Sequence, residues 1–156
     1  GAGCFGRVRD FDVTDINNMG AAMAPAAAET LLRFFARSGR RPEDYDAIYT
    51  GDLGFVGSRL LLEILQAEDL PLQNHQDCGL LLYDRARQQV KAGGSGAGCS
   101  AAVLAAHILP GLAKGQLRRV LLLSTGALMS QTTFLQGESI PGIAHLVELL
   151  APDVPV

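Results

Sequence analysis

The chain has 156 residues, 48% of them hydrophobic and only 6% aromatic, with a formal net charge of −3. That length closes one core, and an apolar content carried by Ala, Leu and Gly suits helices laid closely on a sheet better than a β-sandwich. The mildly acidic balance gives no support to a nucleic-acid surface. The arginines at 37, 40, 41, 85 and 87 are interleaved with acids and lack stacking aromatics, as on a solvated face.

In chain order, Phe5, Val8, Phe11 and Val13 alternate loosely and predict a first strand over residues 5–13. A turn at 15–20 precedes an alanine-rich helix over 21–37, with Pro25 in about its first turn and Ser38-Gly39 at its end. Residues 45–50 read as a short strand and Gly51-Asp52-Leu53-Gly54 as a turn. A second helix over 56–66 carries Leu60, Leu61, Ile64 and Leu65 on one face. Residues 69–77 read as a polar connection, and 79–83 are too few to choose between strand and helix. Residues 92–100, Ala-Gly-Gly-Ser-Gly-Ala-Gly-Cys-Ser, then open onto a helix over 98–113. A strand at 120–123 ends in the small-residue turn 124–127, residues 131–137 are an irregular connection, and 145–150 form a last strand or short helix. The alternation implies an α/β layer fold with an at least partly parallel sheet.

The glycine loop supports two readings. It is a tight connection that packs a helix on a sheet, or a cradle whose free N–H groups face an anion. It lacks the Gly-Lys-Ser/Thr ending of a P-loop and the context of a dinucleotide fingerprint. Cys4, Cys78 and Cys99 show no ligand spacing, and an odd number argues for a reducing compartment over a disulfide framework. Cys99 sits at a helix start, where a thiol is activated, but a small buried packing residue is the simpler reading. Cys78 is the weaker nucleophile, because Asp77 beside it raises its pKa. His145 reads as a hydrogen-bonded core residue, His107 as packing or surface and His75 as part of a polar loop, with no metal spacing among them. No apolar run reaches the roughly 18 residues of a bilayer span, and no signal-peptide pattern is present. The opening Gly1-Ala2-Gly3-Cys4 reads as the edge of a longer protein.

Five blocks then stand out in order: Asn17-Asn18-Met19-Gly20-Ala21-Ala22-Met23-Ala24-Pro25-Ala26-Ala27, Tyr49-Thr50-Gly51-Asp52-Leu53-Gly54, residues 92–100, Ser124-Thr125-Gly126-Ala127-Leu128, and residues 136–145. Together they resemble the stage V sporulation protein AD family of the thiolase-like superfamily, over about residues 1–148. Lys91 and Ala97 depart from it, standing where the family often has His and Cys. The resemblance implies two similar βαβαβαββ halves, of which residues 1–156 match the C-terminal one as a single domain, the N-terminal half being absent. It further implies a sporulation protein that binds dipicolinic acid (pyridine-2,6-dicarboxylic acid) for uptake into the developing spore. Such a protein would act with spore membrane transport proteins, peripherally at the cytoplasmic face of the spore inner membrane. No cofactor is implied beyond Ca²⁺ accompanying dipicolinate, and no nucleic acid.

Acyl-transfer members of the superfamily carry a nucleophilic Cys in the N-terminal half. Those of the ketoacyl synthase III type add a His after the second strand and an Asn after the third strand of the C-terminal half. Here residues 51–54 offer no imidazole, and Asp52 has the wrong charge for an oxyanion; Ser95 stands where the Asn belongs. One oxyanion donor is worth roughly 3–4 kcal/mol, so losing both removes most of the catalysis. The expectation is a binding protein and not an enzyme, with no catalytic and no metal residues. Its ligand contacts are expected from Asp52, Gly94, Ser95, Gly96, Gly98, Gln136, Glu138 and Ser139, with backbone and neutral donors in place of a basic cluster. An active acyl-transfer enzyme and a purely structural docking half remain the alternatives. A freed half is further expected to self-associate as a homo-oligomer or recruit a partner half, since Ala101, Ala102, Ala105 and Ala106 suit close helix approach.

Overall fold

The computed structural model describes residues 1–90, 92 and 97–154. Strand β1 is only Gly3–Cys4, followed by α1 (Met19–Ser38), β2 (Ala47–Thr50), α2 (Gly54–Ala67), β3 (His75–Asp77) and α3 (Cys78–Leu82). Helix α4 (Ala97–Val103) runs through a π-turn at Leu104–Ile108 into α5 (Leu109–Ala113), and β4 (Arg119–Ala127), α6 (Gln131–Leu135) and β5 (Gly142–Leu150) complete the chain. With the short α6 set aside, the order is the expected βαβαβαββ. The strands form one mixed sheet, β1-β5-β4-β2-β3, in which β2 is parallel to β3 and β4, and β5 is antiparallel to β4 and β1.

The two faces of the sheet explain the apolar runs. Along β2 and β4, Ile48, Leu121 and Leu123 face α1 and α2, while Ala47, Tyr49, Val120 and Leu122 face the α4–α5 segment. A strand covered on both faces needs apolar residues at every position, which is why residues 120–123 show no alternation. On the first face Leu31, Phe34, Phe35, Leu61 and Leu65 complete the core; on the second, Cys99, Val103, Ile108 and Leu112 do. Helices α1 and α2 approach closely where Gly57 meets Gly20, since a Cβ on Gly57 would lie 2.8 Å from the Gly20 Cα. Thr30 ties α1 to the sheet through its hydroxyl, which lies 2.8 Å from the Ala144 carbonyl.

Several expectations are corrected. Residues 5–13 do not form a strand. They run as an arm joined to the sheet through β1 and a bridge between Arg9 and Gly142, with Phe5, Val8 and Phe11 exposed. The expected turn at 124–127 is the continuation of β4, paired with β5 as far as Ala127. Residues 131–135 are helical because Ser130 caps them, accepting from the Thr133 N–H. Residues 79–82 fall in α3, and the polar stretch 69–77 contains β3. Pro25 lies in the second turn of α1, not the first, because the helix begins two residues before the expected start. His145 is exposed and not in the core; its Nδ1 accepts from the Gly6 N–H at 3.1 Å, and Phe5 packs edge-on to its ring. The π-turn precedes Pro110, which has no N–H for the Ala106 carbonyl.

Candidate functional site

Strands β2, β3 and β4 are parallel, so their carboxyl ends lie together, and such ends are where α/β sheets hold ligands. Residues 51–53 leave the middle one of these ends. What fixes them is Asp77, the last residue of β3. Its side chain is 2% exposed and accepts from Thr50 Oγ1 at 2.7 Å, and from the N–H groups of Leu53 (2.8 Å), Gly54 (3.1 Å), Gly79 (3.1 Å) and Leu80 (3.3 Å). One carboxylate therefore caps two helices, α2 and α3, at once. Burial pushes its pKa up, and the hydrogen bonds from Thr50 and the backbone act against that shift.

The Thr50 hydroxyl has one proton, and Asp77 takes it. His75 Nε2, 2.9 Å from the same oxygen, must then be the donor, which puts a proton on Nε2. Burial holds the His75 pKa down at about 4. The chain His75–Thr50–Asp77 is thus directed inward.

Asp52 lies beside this cluster. Its N–H donates to Thr125 Oγ1 at 3.2 Å, and its carboxylate rests against Gly79, where a Cβ would have no room. The N–H of Phe55, the next residue along, donates to the Ala92 carbonyl at 2.7 Å. Gly54 takes φ of +64°, and a Cβ there would lie 2.5 Å from the same carbonyl, so glycine is required twice over. Cys78 is buried, and burial, reinforced by the charge of Asp77, pushes its thiol up to about 12, as its place beside Asp77 suggested. Cys99 is fully buried in the second core, which agrees with the packing reading.

Of the expected ligand residues, Asp52 lies in the 51–54 turn and Gly98 in the first turn of α4. Helix α4 packs on α3, Gly98 is exposed in the first turn of α4, and the Ala92 flank of the glycine loop touches the 51–54 turn. Gly94, Ser95 and Gly96 lie outside the described residues. Gln136, Glu138 and Ser139 also follow the carboxyl end of β4, but their contacts lead elsewhere. Ser139 donates its hydroxyl proton to Asp10, the Glu138 N–H bonds the Thr133 carbonyl, and the next residue, Ile140, bonds Val13. That group is tied to the N-terminal arm, with Gln136 exposed.

Sequence reading missed Thr50, His75 and Asp77 as one cluster, because a three-residue polar strand carries no period. Two exposed arginines also meet one ring, and one of them, Arg85, is among those expected on a solvated face. Phe55, the second residue of α2, is 37% exposed; the Arg85 guanidinium lies over its ring, 4.0 Å from the centroid, and that of Arg59 lies 5.7 Å away. The i,i+4 spacing of Phe55 and Arg59 was the legible part of that signal.

The model of the family described as Stage V sporulation protein AD (SpoVAD) matches residues 2–150. The chain belongs to the SpoVAD family. Stage V sporulation protein AD of Bacillus subtilis (strain 168) is 50% identical to it over 141 residues, which are 90% of this chain and 41% of that protein. The chain thus spans less than half the length of this SpoVAD relative. Membership implies a role in sporulation. Among the described residues, no helix of this SpoVAD-family chain is long and apolar enough to cross a membrane, and no three His, Cys, Asp or Glu side chains gather as a metal site.

Proposed function

We propose that the chain is a non-catalytic half of a dipicolinic acid-binding protein that serves uptake of this compound into the developing spore. Family membership supports the setting. The observation that carries the non-catalytic part is the 51–54 turn. Where an acyl-transfer relative would present an imidazole, this turn presents Asp52, and the N–H groups of residues 52–55 are spent on Thr125, Asp77 and Ala92. An oxyanion would find a carboxylate there and no donor. Dipicolinate arrives as a dianion or with Ca²⁺, and hard oxygen ligands such as Asp52 suit that ion.

The N-terminal half of the same fold is the partner we assign to the outer side of the α4–α5 segment. Ala101, Ala102, Ala105, Ala106 and Leu109 are exposed there, small enough for close helix approach and too apolar to favour water. In its absence this side drives self-association. The protein works peripherally at the cytoplasmic face of the spore inner membrane, with membrane transport proteins as partners.

Isothermal titration of dipicolinate into the chain joined to its N-terminal half, with and without Ca²⁺, tests the binding function. Saturable heat supports it, and flat titrations in both conditions refute it. Turnover of an acyl-CoA by the same protein, lost in Cys99→Ala, would overturn the non-catalytic reading.

A further inference from the structure

We propose that protonation of His107 controls docking on the outer side of the α4–α5 segment. The inference deepens the proposed function and rests on it for one point, that this side meets the N-terminal half or, in its absence, a second copy of the chain. Three observations support it.

The first concerns place. Ala101, Ala102, Ala105, Ala106 and Leu109 make this side apolar, and His107, within the π-turn, is exposed among them. From Ala97 to Ala113 the sequence holds no Asp, Glu, Lys or Arg, so His107 is the one residue there that can bring a positive charge to the surface. The second concerns the proton. Tyr49 is wholly buried, and its hydroxyl lies 3.3 Å from His107 Nε2, with the two rings edge-on and their centroids 6.0 Å apart. That hydroxyl has no other hydrogen-bond partner among the described residues. A buried O–H needs an acceptor, so Nε2 receives the bond and the neutral ring keeps its proton on Nδ1. Burial pushes the Tyr49 pKa up, so the phenol keeps its own proton. A second proton on the imidazole falls on Nε2, turns that acceptor into a donor and strands the Tyr49 O–H. The third concerns charge. Of the elements packed on this segment, β2 contributes Tyr49 and β4 only Val120 and Leu122; Cys78 of α3, its thiol pushed up to about 12, stays neutral, and Cys99 of α4 is buried. Asp46, just before β2, accepts from the N–H groups of Arg118 and Arg119, Asp153 pairs with Arg118, and Lys114 after α5 is a further cation. His107 makes no ion pair among the described residues. An apolar partner laid over it would strip water from an imidazolium with no carboxylate to offset the charge, a cost the neutral ring does not carry. Docking is therefore open to the neutral form and closed to the protonated one, and histidine changes charge between pH 5 and 8.

The test is sedimentation equilibrium of the full chain, His107→Gln and Ala105→Glu at pH 8 and pH 6, with circular dichroism to confirm the fold at each pH. Both positions are exposed, so the substitutions leave the core intact. His107→Gln keeps His75, so any effect of acid on the fold itself is common to it and the unsubstituted chain. The expected result is self-association of the unsubstituted chain that weakens about tenfold from pH 8 to pH 6, since each copy brings one His107 to the contact. His107→Gln should associate equally at the two pH values, and Ala105→Glu, with a charge set into the apolar side, should stay monomeric at both. Association of the unsubstituted chain that is equal at both pH values, or a pH dependence that survives in His107→Gln, overturns the control by His107 and leaves the docking side standing. Absence of association in the unsubstituted chain, or association that persists in Ala105→Glu, overturns the docking side and its control together.

Discussion

The molecule buries two carboxylates at opposite ends of its sheet and neutralises them in different ways. Asp77, at the carboxyl ends of the parallel strands, is held by one hydroxyl and four backbone N–H groups. Glu148, towards the opposite end of β4, is held by charge. Arg40 and Arg119 both pair with it, and the Tyr45 hydroxyl and the Ala2 N–H add hydrogen bonds. The Glu148 cluster staples the chain's start, the end of α1 and two strands; its removal would loosen the frame without touching any loop of the site. The Asp77 cluster shapes the 51–54 turn, and it does so with the Thr50 hydroxyl and the N–H groups of Leu53, Gly54, Gly79 and Leu80. The contrast is between a buried carboxylate held mainly by backbone dipoles and one held by guanidinium charge.

Breaking the first cluster has the larger expected effect. Asp77→Ala strands three buried N–H groups, the half-buried one of Leu80 and the Thr50 hydroxyl and uncaps two helices, and should cost about 4 kcal/mol in urea unfolding. If the loss is under about 1 kcal/mol, Asp77 does not organise the turn. Glu148→Ala leaves Arg40 and Arg119 facing a cavity, but both guanidiniums are partly exposed and can turn to water, so about 3 kcal/mol is expected. Because the Glu148 cluster is far from the site, this variant should bind dipicolinate as the unsubstituted chain does, once folded.

A smaller effect sharpens the comparison through pH. His75 is held neutral, with its pKa lowered to about 4 from an ordinary 6.5. Between those values the unfolded chain binds the proton and the folded one does not. Its contribution is therefore fully present above pH 6.5 and is lost as the pH falls towards 4, by up to about 3 kcal/mol. The raised pKa of Asp77 acts in the opposite sense, and favours the folded state as its carboxyl becomes protonated. Chemical unfolding at stepped pH should show the slope in the unsubstituted chain and its flattening in His75→Gln, whose amide can still donate to Thr50. An unchanged slope in that variant assigns the acid sensitivity to another group.

Local period made the frame legible. Residues 21–37, 56–66 and 98–113 show the helical spacing and apolar faces that become α1, α2 and the α4–α5 segment, and the Val120–Leu123 run becomes the strand buried on both faces. The resemblance supplied the order of elements. What stayed hidden depends on partners distant in the chain. His75-Gln76-Asp77 is a strand only because β2 offers its edge, and Asp77 is a cap only because two loops converge on it. Phe5, Val8 and Phe11 mimic a strand, yet they lie on an arm outside the sheet that leaves all three side chains at least half exposed. Arg59 and Arg85 are far apart in sequence and meet at the Phe55 ring only through the fold.

The central claim is that the backbone N–H groups around Asp77 are spent within the protein and are not offered to a ligand. Nuclear magnetic resonance on the ¹⁵N-labelled chain joined to its N-terminal half, during titration with dipicolinate, reads this directly. The account predicts that the amides of Leu53, Gly54, Gly79 and Leu80, already bonded to Asp77, keep their positions and their slow hydrogen exchange. Large shifts in those four amides on addition of dipicolinate would contradict it.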